Sequence, residues 1–212
     1  MKTLTLETQE MITPTMAIQL LKEGNHRFIH QQQHSRDLLA QVDATKHGQW
    51  PFATILSCID SRVSSELIFD QGIGDIFAIR VAGNHINKDV LGSMEYACHV
   101  AKSKLVVVLG HTNCGAMKGS LDFHKKIKGN GITNLEHLLG KFEDSVERIK
   151  THDEERCSSN HDLLQKLTIE NVEHTIRKIR ERSPILAEME QQNAIQIVGA
   201  IYDVETGVVS WL

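Results

Sequence analysis

No run of apolar residues in this chain approaches the roughly 20 needed to cross a bilayer. The opening segment, MKTLTLETQEMITPTMAIQLL, has neither an apolar stretch of roughly 7–15 residues nor a small-residue cleavage site, so it does not read as a signal peptide. A chain whose leader had been removed would read the same way. Charge of one sign is also missing: 23 Lys and Arg stand against 27 Asp and Glu, a net charge of −4. With no dense Lys/Arg stripe, there is no electrostatic footprint for nucleic acid. Cysteine is scarce. Cys58, Cys98, Cys114 and Cys157 are too scattered for a disulfide framework and point instead to a metal or catalytic role in a reducing compartment. The cytoplasm is the expected location, or the periplasm if a leader has been removed. Internal repeats and low-complexity tracts are absent too.

What remains is an ordinary soluble composition, 41% apolar and 24% charged, in 212 residues, which predicts a single domain. Thr13-Pro14 offers a helix N-cap followed by proline at the first helical position, and the apolar spacing predicts a helix to about residue 31. Residues 31–49 are polar and predict irregular chain. Strands and helices then alternate. FATILSC (52–58), DIFAIRVAG (75–83) and LVVVLG (105–110) predict strands, the last fully buried. Segments 63–70 and 88–102 predict helices, and another is expected to begin near Asn113. Residues 132–182 read as helical with a polar break around 151–160, and 194–204 with 207–212 read as a closing strand pair. Such alternation predicts an α/β fold with a mainly parallel sheet covered by helices on both faces, and active groups at the carboxyl ends of its strands.

Two short stretches end predicted strands at that edge: Cys58-Ile59-Asp60-Ser61-Arg62 and His111-Thr112-Asn113-Cys114. Pairing of the two strands would bring Cys58, His111 and Cys114 together, and two thiolates with an imidazole are a zinc ligand set. The fourth corner falls to water or to Asp60. Three protein ligands with an exchangeable position would make a catalytic site. Two thiolates cancel the ion's formal charge, so neighbouring groups matter more. Asp60 could accept the hydrogen of a bound hydroxide, and Arg62 could hold Asp60 in a bidentate pair. Taken singly these residues have plainer readings: buried cysteines as small hydrophobes, His111 as a turn residue, Asp60 as a helix cap. Cys98 and Cys157 lack such partners and read as non-ligands. A zinc deaminase is set aside because its H-x-E and P-C-x-x-C signatures are missing.

CIDSR, then IRVAGN (79–84), then VVVLGHTNCGAMKG (106–119) closely resemble the β-class carbonic anhydrases. The resemblance runs in order over residues 14–120 and resumes at GAIYDVETG (199–207). It implies zinc held by Cys58, His111 and Cys114, an Asp60–Arg62 catalytic dyad, and reversible hydration of CO2 to bicarbonate and a proton by hydroxide on zinc. It also implies a parallel sheet with one antiparallel edge strand, and an N-terminal helical arm (1–50) ahead of the core (51–212) that embraces the partner in a homodimer or homotetramer. Plant-like members bind substrate with a glutamine, a phenylalanine and a tyrosine, which fall here on Gln49, Phe77 and Tyr96. Ala82 stands where their pocket has a valine. The other site type carries a tryptophan three positions before the first zinc cysteine, and this chain has Ile55 there. Arg80 and Tyr202, its remaining partners, therefore read as structural, and an open site without that bicarbonate switch is expected. Two rival readings share these residues: hydrolysis of a linear molecule such as carbon disulfide, and a non-catalytic zinc scaffold with Asp60 permanently on the metal.

Overall fold

LVVVLGH opens with five apolar residues, three of them β-branched valines, a pattern that is stable only where both faces are covered. In the computed structural model, which describes residues 3–126, 133–149 and 156–212, this segment is the middle strand of a five-stranded sheet. The strands are β1 (Ala53–Ser57), β2 (Ile76–Arg80), β3 (Leu105–His111), β4 (Gln196–Tyr202) and β5 (Val209–Trp211). They lie in the order β2-β1-β3-β4-β5. The first four are parallel, and β5 runs antiparallel to β4 at the edge, as the resemblance implies.

Side chains alternate across this sheet with the two-residue period of a strand. Ala53 and Ile55 of β1, with Leu105, Val107 and Leu109 of β3, enter one apolar cluster; Leu56, Val106 and Val108 enter another on the opposite face. The helices in chain order are α1 (Leu6–Met11), α2 (Pro14–Ile29), α3 (Leu38–Thr45), α4 (Ser65–Ile68), α5 (Lys88–Glu95), α6 (Gly115–Lys126), α7 (Thr133–Leu139), α8 (Glu143–Arg148), α9 (His161–Arg182) and α10 (Pro184–Gln191). Ala17 and Leu21 of α2 and Ile68 of α4 pack on the first face, while Val90, Leu91 and Met94 of α5, Val172, Ile176 and Ile179 of α9 and Leu186 of α10 pack on the second. A third cluster lies with the segments that follow the strand ends. There Met117 and Leu121 of α6, Phe142, Val146 of α8, and Leu163, Leu164 and Leu167 of α9 surround Cys58 and Cys114.

Helix starts follow their capping residues. Thr13 accepts from the Met16 N–H at 3.2 Å with Pro14 next in line, Asn87 caps α5 at 2.8 Å, and Asn160 caps α9 at 3.1 Å. Several boundaries differ from the sequence reading. Residues 38–45, expected to be irregular, form α3, capped by Asp37 through the Ala40 N–H at 3.0 Å. This helix buries only Gln41 and leaves its apolar residues Leu38, Leu39 and Val42 exposed, so it packs no apolar face on the core. The helix expected over 63–70 contracts to the single turn α4. The last turn of the 88–102 segment widens to a π-helix at Tyr96–Val100. Residues 132–182 divide into α7, a 3₁₀ turn at Gly140–Phe142, α8 and α9; the first half of the expected polar break lies outside the described residues. The helix α10 has the same signal as α2, Ser183 capping Leu186 N–H ahead of Pro184, and the sequence reading passed over it.

Candidate metal centre

The chain leaves β1 outward to β2, then returns past β1 to β3, so the connection reverses direction between β1 and β3. Side chains at the carboxyl ends of two such strands face one crevice. Ser57 pairs with Leu109, which sets Cys58, just beyond β1, close to His111 at the end of β3. Asn113, in the left-handed region at φ 58°, turns the chain sharply enough to bring Cys114 back beside His111.

The ligand atoms of Cys58, His111 and Cys114 all lie within 4.8 Å of one another, and all three residues are buried. Among the described residues this is the one such group of three or more His, Cys, Asp or Glu. Nδ1 of His111 lies 2.9 Å from the Thr112 carbonyl, which fixes it as the protonated nitrogen. Nε2 is left buried without a hydrogen-bond partner. An orphaned imidazole nitrogen facing two thiols is the donor set zinc takes, with the outer hydrogen bond orienting the ring. The thiols are electrostatically linked. The hydrogen bond from Cys114 lowers the Cys58 pKa to about 4, assisted by His111 and the Gly83 N–H. The same bond, with burial, raises Cys114. Zinc binds cysteine as the thiolate, so a bound dication would favour the deprotonated form of both.

Asp60 stands at the rim. Its Oδ1 accepts from the Arg62 backbone N–H at 3.0 Å and from Arg62 Nε at 2.9 Å, and Oδ2 accepts from Nη2 at 2.8 Å. Arg62 holds the carboxyl far below the usual carboxylate range, so Asp60 is an anion and an acceptor only. Oδ2 lies 4.0 Å from His111 Nε2. The carboxylate is close to the ligand trio but engaged with Arg62, unlike the permanent ligand that a scaffold site would require.

Two positions complete the frame. Arg80, read as structural, donates from Nε to the Cys58 carbonyl at 3.0 Å and from Nη2 to the Asp60 carbonyl at 2.6 Å, pinning the loop that carries both. Gly83 was not singled out in the sequence. Its N–H donates to Cys58 Sγ at 3.4 Å, and its φ of 71° is one that glycine adopts without strain. The AGN string within IRVAGN carried that signal. Tyr202 is buried, and its carbonyl accepts the Thr112 N–H at 2.9 Å. Cys98 is buried with its thiol pushed up to about 12, and Cys157 sits beside Ser159; neither joins the cluster.

The residues assigned to substrate by resemblance lie elsewhere on this chain. Gln49 is exposed, beside Gly74 at the amino ends of the strands. Phe77 and Tyr96 form an edge-to-face ring pair, centroids 6.5 Å apart, in an open hollow along the outer strand β2. Tyr96 is 56% exposed. The chain thus brings together the ligand trio and the Asp60–Arg62 pair, and leaves Gln49 at the opposite end of the sheet.

A family model described as carbonic anhydrase matches residues 53–209. A carbonic anhydrase of Mycolicibacterium smegmatis is 34% identical over 195 residues, covering 92% of this chain and 91% of its own. Carbonic anhydrase 2 of Mycobacterium tuberculosis is 35% identical over 196 residues, covering 92% and 90%. The structure of a Coccomyxa β-carbonic anhydrase in complex with acetazolamide superposes with a TM-score of 0.69 at 28% identity, covering 80% of this chain and 75% of that one.

Proposed function

The chain belongs to the β-class carbonic anhydrase family, and from that premise we propose that Cys58, His111 and Cys114 hold its zinc while Asp60 and Arg62 carry the catalytic work. The reaction is the zinc-dependent, reversible hydration of CO2 to bicarbonate and a proton. When bound, zinc lowers the pKa of a coordinated water, so that a nucleophile is available near neutral pH. Asp60 accepts the hydrogen of the attacking oxygen and turns its lone pair toward the substrate carbon. Because Arg62 keeps Asp60 ionised, the carboxylate cannot donate, and only the hydrogen-bearing nucleophile is held in that orientation. Arg80 and Gly83 keep the Cys58–Asp60 loop in register with His111.

The observation that carries this reading is the three-bond grip of Arg62 on Asp60 beside an orphaned His111 Nε2. It supports an open site, with the carboxylate off the metal, over the scaffold reading. The carbonic anhydrase relatives favour CO2 over carbon disulfide. Stopped-flow CO2 hydration on zinc-loaded protein tests it, with a chelated control and carbon disulfide as the competing substrate. Fast, zinc-dependent hydration is expected; carbon disulfide turnover without it would remove the assignment.

Gln49, Phe77 and Tyr96 serve as substrate contacts in a homo-oligomer. One copy supplies its glutamine and aromatic pair to the metal centre of another. Among the described residues no strand pairs with the outer edge of β2, Tyr96 is exposed beside it, and Leu6, Met11, Met16, Leu38, Leu39 and Val42 of the N-terminal helices are exposed apolar residues. Such a surface is that of a chain built to meet a partner. No helix among the described residues is long and apolar enough to cross a membrane. The low cysteine count, with no disulfide among the described residues, favours a cytoplasmic location.

A further inference from the structure

A second cavity, of about 220 Å³, lies where the 3₁₀ turn at Gly140–Phe142 and α8 meet the second half of α9. Three of its lining side chains are cationic: Lys141, Lys178 and Arg182; one, Asp144, is anionic. Lys178 shares its charge with Glu181 at 2.9 Å, whereas Lys141 and Arg182 have no carboxylate within 4.0 Å among the described residues. The floor is polar and buried, made of Asn171, His174 and Thr175, and His85 stands at its side. Nδ1 of His85 donates to the Ala82 carbonyl at 3.3 Å, which makes Nε2 an acceptor. The lining has no aromatic ring besides these imidazoles, so nothing in it would stack a base.

From this arrangement we propose that the cavity is a binding site for a phosphate dianion, either free or as the end of a phosphate monoester. An excess of positive charge around a small polar hollow attracts a dianion more strongly than a monoanion, because the attraction scales with the product of the charges. Arginine and lysine at the rim supply charge-assisted bonds, and the Thr175 hydroxyl and Asn171 amide below supply the directional ones. The hollow has room for one tetrahedral oxyanion with its waters. The site is separate from the metal centre, and one chain of hydrogen bonds links them. Asn171 donates to the Gly83 carbonyl at 2.9 Å, and the N–H of that same glycine reaches Cys58.

Isothermal titration of the zinc-loaded protein at constant ionic strength tests this, with inorganic phosphate in one arm, glycerol 3-phosphate in a second and chloride in a third. Saturable binding of a phosphate species is expected, with sulfate competing and chloride ineffective. In Lys141→Gln/Arg182→Gln the affinity should fall about tenfold or more, with zinc content and CO2 hydration unchanged. Tighter binding in the first arm assigns the free ion, and in the second the monoester. Three results would overturn the site: no saturable binding, chloride competing as well as sulfate, or an affinity unmoved in both the double variant and Lys178→Gln.

Discussion

Arg62 grips Asp60 through three nitrogens, its own backbone N–H at 3.0 Å, Nε at 2.9 Å and Nη2 at 2.8 Å, within a span of three residues. The carboxylate is thereby kept ionised and fixed beside His111 Nε2. Asp60→Asn keeps the shape but puts an amide where a pure acceptor stood. CO2 hydration should fall about 10²-fold or more with zinc content unchanged, the size expected when one positioned proton acceptor is lost. Arg62→Lys retains the charge without the planar fork and should fall by a smaller factor. Stopped-flow rates on metal-matched protein measure both. Undiminished turnover in Asp60→Asn would refute the role given to the carboxylate.

Gly83 joins conformation, packing and chemistry at one position. Its φ is 71°, and a Cβ added there would stand 2.3 Å from Phe142 Cζ and 3.2 Å from Ala116 Cβ. Gly83→Ala should therefore cost about 2–4 kcal/mol, combining the left-handed strain with overpacking against a buried ring. Denaturant titration reads the loss. Because the same residue donates to Cys58, zinc affinity should weaken in the variant that remains folded, as read by competition with a chelator. Wild-type stability in Gly83→Ala would mean that Phe142 moves aside freely.

Much of this site was legible from the chain alone, and the reason is geometric. Parallel strands buried on both faces read as continuous apolar runs, and their carboxyl ends are where chemistry collects, so Cys58, His111 and Cys114 could be matched without coordinates. Asp60 and Arg62 lie in the same short loop, and their pairing needed no long-range information. Helix α3 escaped because it buries only Gln41, and Gly83 because an N–H bond to sulfur leaves no trace in residue type beyond the glycine itself. For Gln49, Phe77 and Tyr96 the difficulty is of another kind. A resemblance gives a residue's role without saying whose site it serves.

The histidines of the second cavity set an acid limit on the fold. Burial lowers His85, with Lys141 and His137 adding to the effect, and burial also lowers His174 although Asp144 lies 3.8 Å away. An imidazole held below its ordinary value binds fewer protons in the folded chain than in the unfolded one. Stability therefore rises with pH across the window from the folded value to about 6.5, and is lost as pH falls through it. Asp60, Asp70 and Asp203 are shifted down instead, so their contribution fades only below the unfolded carboxylate value, near about pH 4. Urea midpoints should decline in two limbs, the first between about pH 7 and about pH 5. His85→Gln/His174→Gln should flatten that first limb and leave the second. A wild-type midpoint constant down to about pH 5 would show that these rings do not govern acid stability.

Whether Gln49 serves its own chain's zinc or a partner's can be decided by mixing two inactive variants. In Asp60→Asn the metal centre is disabled but Gln49 is intact; in Gln49→Ala the reverse holds. Suppose the glutamine acts across an interface. In a mixed dimer the Gln49→Ala chain then has its own Asp60 and borrows Gln49 from the Asp60→Asn chain, which restores one complete site. The other site carries both lesions. If Gln49 instead acts within its own chain, each site of the mixed dimer keeps one lesion and nothing is restored. Co-refolding the two variants at equal amounts gives mixed dimers as about half of the population, since association between like surfaces is statistical. Recovered hydration should then approach a quarter of the wild-type rate per chain. The exposed position of Gln49 beside Gly74, at the end of the sheet away from Cys58, makes restoration the expected result. Activity no greater than the mean of the two parents, with mixed dimers verified by mass, would show that Gln49 does not act across the interface.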